Sequence, residues 1–165
     1  MGMKRRCWLL TCIAAGAAPA ALAQDTAPLE VHGALDAYAG HGVALAWGVL
    51  RGRDEASTEV FVRVEADPAR WRTLEVVGID PFTRQRAPLA PRIALGTAAA
   101  TLRIARARFA ELPQSEWRFL REPAGAGLVV YYRGVPDTTP EFTDARQLDA
   151  SLAERLERAR RAAPP

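Results

Sequence analysis

Short runs of alternating apolar and polar residues, separated by turn residues, dominate the chain from residue 29 to residue 132. Alternation is the period that a half-buried β-strand imposes, because successive side chains point to opposite faces. Leu29, Val31, Gly33 and Leu35 alternate with Glu30, His32, Ala34 and Asp36, which predicts a first strand over 29–36. Gly40-His41-Gly42 reads as a turn. Val43, Leu45, Trp47 and Val49 then share one face of a second strand, opposite the smaller Ala44, Ala46 and Gly48. A strand apolar on both faces belongs at the centre of its sheet. Val60, Val62 and Val64 mark a third strand, and residues 73–79 a fourth that stops at Asp80-Pro81. Residues 81–91 carry three prolines and no periodicity, predicting a long extended connection. Further strands are expected over 93–95, 102–109, 116–120 and 128–132, the last two joined by a hairpin loop at 123–127. The 102–109 run also suits helical spacing.

After residue 142 the period changes. Leu148, Leu152 and Leu156 recur every four residues behind Asp144, with Gln147 at capping-box spacing. Glu154 with Arg158 and Glu157 with Arg161 stand at i, i+4, and arginines gather where the helix dipole favours cations. The expected fold is all-β: an immunoglobulin-like, two-sheet antiparallel sandwich of about seven to eight strands, with one C-terminal amphipathic helix. The sandwich occupies 24–142 and the helix 143–161. Trp47 is the candidate for the centre of the core.

The first 23 residues stand apart. Lys4, Arg5 and Arg6 precede an uncharged Ala-rich stretch, and Ala21-Leu22-Ala23 before Gln24 has the small-x-small pattern of a cleavage site. This predicts an export signal over 1–23 and a periplasmic or secreted mature protein, with no membrane span once the signal is removed. Arg5-Arg6 resembles a twin-arginine signal, and Cys12 is a conceivable lipid attachment point ranked below simple cleavage. Removal of the signal changes the charge. Three of the 22 basic residues leave and none of the 19 acidic ones does, so 19 of each remain and the excess of +3 belongs to the signal. No nucleic-acid partner is therefore expected. Both cysteines, Cys7 and Cys12, and the single lysine leave with it. The mature chain has no thiol chemistry, no disulfide and no Schiff-base amine, so its core alone must hold it.

Candidate chemistry centres first on HGALDAYAGHG, which holds both histidines, His32 and His41, around Asp36 and Tyr38. Imidazole and carboxylate suit zinc or copper. Yet His32 and Asp36, four residues apart on one strand, stand about 13 Å from each other, too far to share an ion. A strand end and turn is the favoured reading, and no metal or cofactor is expected. The oxygen-rich VPDTTPEFTD, residues 135–144, reads as a helix start more readily than as a cation loop. What remains is a candidate binding set of His41, Asp137 and Glu141, acids that His41 meets only through folding. Arg84 and Arg86, with Arg103, Arg106 and Arg108, form a candidate anion-binding group or a charged, solvated edge. Trp71 and Trp117 are candidates for stacking on sugars, or for the core.

No nucleophile elbow, phosphate loop or dinucleotide fingerprint is present. The expected function is that of an exported, non-catalytic module binding another envelope or secreted protein. The alternatives are a small exported hydrolase using carboxylates or a His-centred metal, and a carbohydrate-binding sandwich.

Overall fold

The computed structural model describes residues 27–122 and 125–164, and for Ala126 the backbone alone. The expected export signal lies outside the described residues. The elements are β1 (Leu29–His32), β2 (Ala37–Gly40), β3 (Val43–Leu50), β4 (Glu59–Ala66), β5 (Thr73–Ile79), β6 (Arg86–Ala94), β7 (Ala100–Ala105), α1 (Arg106–Glu111), β8 (Gln114–Leu120), β9 (Ala126–Arg133), β10 (Glu141–Phe142) and α2 (Ala145–Ala162). The strands form two five-stranded sheets packed face to face. Sheet A runs β1-β9-β8-β5-β6; sheet B runs β10-β3-β4-β7, with β2 also paired to β3. The chain thus forms the two-sheet sandwich with a C-terminal helix expected from its alternation.

The strand count is ten because the first expected strand, 29–36, stops at His32, a separate β2 forms over Ala37–Gly40, and β10 is added. β1 pairs with β9 in sheet A, whereas β2 pairs with β3 in sheet B. Between them the chain crosses from one sheet to the other. Gly33 donates its amide to the Tyr131 carbonyl at 2.7 Å, and the Asp36 carbonyl accepts the Trp47 amide at 2.7 Å. A Cβ at Gly33 would stand 2.3 Å from Cζ of Tyr132, so only glycine lets the crossing lie against that ring. β1–β9 and β10–β3 are parallel pairings, which adds a parallel element at the edge of each otherwise antiparallel sheet.

Two other expectations are corrected. Residues 81–91 are not a long connection: a short loop over 80–85 closes a hairpin into β6. Pro88 and Pro91 are tolerated there because β6 is an edge strand, where a missing N–H leaves no neighbour unpaired. Residues 102–109 divide between β7 and α1. Leu102 and Ile104 face the core, so continuing the strand would turn Arg106 and Arg108 inward as well. The change to helix turns Phe109 inward instead, 5.7 Å from Trp47 between ring centroids.

Trp47 is fully buried between the sheets, with Tyr132 and Trp117 centroids at 4.9 and 5.1 Å. Valines of β4 and the Leu74, Val76, Leu128 and Val130 side chains of sheet A complete the core. A second apolar layer lies outside sheet B. Leu148, Leu152 and Leu156 of α2 pack on Ala44 and Ala46, each leucine contributing about 2 kcal/mol of burial. At Gly48 a Cβ would meet Cδ1 of Leu148 at 2.3 Å. The small outer face of β3 is therefore the seat of the helix. Asp144 caps α2 by accepting from the amides of Arg146 and Gln147 at 2.7 and 3.1 Å.

Candidate functional site

Folding does not bring His41, Asp137 and Glu141 together. His41 and Gly42 form the two-residue turn between β2 and β3, with φ of 54° and 78°. Positive angles at both positions are those of a type I′ hairpin turn. The work of His41 is done by its backbone, whose carbonyl accepts the Trp71 indole N–H at 2.9 Å. Glu141 pairs beside Val49 at the far end of β3, about 20 Å from the turn at 3.3 Å per residue. There it accepts from Arg51 at 2.5 Å and Arg106 at 3.2 Å. Asp137 lies exposed in the turn before β10.

The other residues of the histidine-bearing segment are dispersed too. Asp36 forms an ion pair with Arg155 of α2, both side chains being largely buried. Arg155 also donates to the Trp47 carbonyl at 2.6 Å, and burial lowers its hold on its proton. Tyr38 sits on β2, its phenol pushed up by burial. Among the described residues, no three His, Asp or Glu side chains gather as metal ligands would.

The five arginines weighed as an anion-binding group or a charged, solvated edge are split: Arg103 lies on β7 of sheet B and Arg106 and Arg108 on α1, while Arg84 and Arg86 belong to the β5–β6 hairpin of sheet A. Arg103 pairs with Glu59, Arg106 with Glu55 and Glu141, and Arg108 with Glu111. Arg84 and Arg86 instead reach the outer face of sheet A. Trp71 and Trp117 are buried, at 2% and 0% exposure, so neither presents a face to a sugar.

The outer face of sheet A carries a concavity of about 520 Å³. Register explains its lining: Trp117, Phe119, Val130 and Tyr132 point into the core, so Glu116 of β8 and Tyr131 of β9, offset by one, point out. His32 of β1 lies beside Tyr131 and stacks on it, with centroids 5.4 Å apart. The Tyr131 hydroxyl donates to Glu30 at 3.0 Å; partial burial and that carboxylate push its phenol up, keeping it protonated. Glu116, with its side chain 8% exposed, accepts from Arg86 at 3.1 Å. Arg133 and Arg84 complete the basic side of the wall.

Arg84 enters from the hairpin loop between β5 and β6. Asp80 organises this loop by accepting from the amides of Phe82 and Thr83 at 2.8 and 3.2 Å. Those donors hold the Asp80 carboxyl below its usual range. Arg84, at φ 60°, closes the loop in a left-handed conformation that Asn or Gly adopts more readily. Phe82 stands at the tip, 94% exposed. Sequence alone gave no reason to single out Phe82, or to join His32 to Tyr131 and Arg133. A proline-rich stretch with no period conceals a hairpin tip, and the other residues come together only through strand pairing.

No family model, curated protein or solved structure matches this chain. Among the described residues, no helix is long and apolar enough to cross a membrane.

Proposed function

We propose that the mature chain is an exported, non-catalytic β-sandwich module that binds another envelope or secreted protein through the outer face of sheet A and the β5–β6 hairpin. The carrying observation is the difference between the two outer faces. α2 packs on the outer face of sheet B, whereas no described element covers the outer face of sheet A, and Phe82 stands 94% exposed at the tip of the β5–β6 hairpin of that sheet. A large aromatic side chain next to arginines is the composition of an interface anchor, since such residues dominate binding energy. Export rests on the basic, Ala-rich segment before Gln24.

The test is capture from envelope extract by immobilised mature protein, with Phe82→Ala alongside. Wild type is expected to retain a defined partner that Phe82→Ala loses by tenfold or more, with its thermal midpoint unchanged. Equal capture by both proteins, or hydrolytic activity in the purified chain, overturns the reading.

A further inference from the structure

We propose that the concavity on sheet A is a binding site for an oxyanion, a carboxylate or phosphate group borne by a small molecule. The site stands on its own side chains, whether or not the same face docks a protein. Three arginines, Arg84, Arg86 and Arg133, line one concavity with a single acidic residue, Glu116. Only Arg86 is committed to that carboxylate, through one contact at 3.1 Å. Among the described residues, neither Arg84 nor Arg133 has an acid within ion-pair distance, whereas most arginines elsewhere do. In a mature chain whose charges balance, this is a local surplus of positive charge.

The geometry suits an anion. A planar guanidinium presents paired donors matched to the two oxygens of a carboxylate or phosphate. The volume, about 520 Å³, falls in the range of small-ligand sites. The stacked His32 and Tyr131 rings supply a flat wall, the Tyr131 hydroxyl itself being engaged by Glu30. The loop itself explains why residue 84 is left-handed but not why it is arginine. A charge-bearing role for that side chain in the concavity does explain it.

The experiment is an amide NMR titration of the mature protein with inorganic phosphate and, separately, with succinate, at constant ionic strength set by chloride. Saturable shifts are expected at residues 84–86, 114–116 and 131–133 with at least one probe, with a dissociation constant on the order of 1 mM. Whichever probe saturates names the group. The double variant Arg84→Gln/Arg133→Gln removes two side chains without ion-pair partners, so its other resonances should hold while binding weakens at least tenfold. Arg53→Gln/Arg72→Gln, which removes the same charge elsewhere, should bind as wild type does. Absence of saturation with both probes overturns the site, as does equal weakening in the two double variants. Either result is independent of whether Phe82 anchors a protein.

Discussion

Asp36 shows how a residue chosen for its chemistry is consumed by structure. In sequence it stands between two histidines and invites a role as ligand or base. In the fold, its backbone carbonyl accepts the Trp47 amide and its carboxylate is held by Arg155, with side-chain exposures of 18% and 11%. Two charges so far removed from water are each costly alone. Asp36→Ala leaves the guanidinium with only the Trp47 carbonyl, and the expected loss is on the order of 3 kcal/mol in urea unfolding. The double replacement Asp36→Leu/Arg155→Met removes both charges and should recover much of it. A single variant within about 0.5 kcal/mol of wild type would sink this role, because ordinary surface substitutions fall in that band.

The elements whose neighbours are fixed by their own residues were legible. β3 announces both partners: its large face meets the core and its Ala44, Ala46, Gly48 face takes α2, whose leucine stripe is equally plain. The early end of the first strand was not legible, since alternation continues unbroken through 29–36, whereas β1 stops at His32, residues 33–36 cross between the sheets and β2 begins at Ala37. The crossing depends on Gly33 meeting Tyr132, about a hundred residues away. β6 was hidden because prolines exclude a central strand but permit an edge, and sequence does not say which strand is outermost. The site was the least legible, since four separated segments build its wall and the arginine list mixed both sheets. At this scale the β5–β6 hairpin carries a pH prediction. The Phe82 and Thr83 amides depress the Asp80 pKa below the ordinary aspartate value, so its stabilisation is present above that value and is lost as pH falls through the lower folded value. Amide shifts of Phe82 and Thr83 should therefore titrate with a midpoint below the ordinary aspartate value. A midpoint at or above it would show that these bonds do not favour the charged form.

For the molecule as a whole, the question is whether α2 is an appendage or part of one cooperative unit. Three regions meet at Trp47: its side chain fills the core, its amide is bound by the β1–β2 crossing and its carbonyl by Arg155 of the helix. Undocking α2 would expose three leucines, separate the Asp36 and Arg155 charges and free the carbonyl of the central core residue. These costs fall on the same strand, so helix and sandwich should unfold together. Denaturant curves followed by the helical far-ultraviolet signal and by the near-ultraviolet band of Trp47, Trp71 and Trp117 should coincide. Leu152→Ala should shift both by the same amount, about 2–5 kcal/mol for a fully buried leucine. If instead the helical signal were lost at lower denaturant while the tryptophan band held, α2 would be a separately melting cover. The outer face of sheet B would then become a second surface open to partners, and sheet A would lose its distinction as the open face.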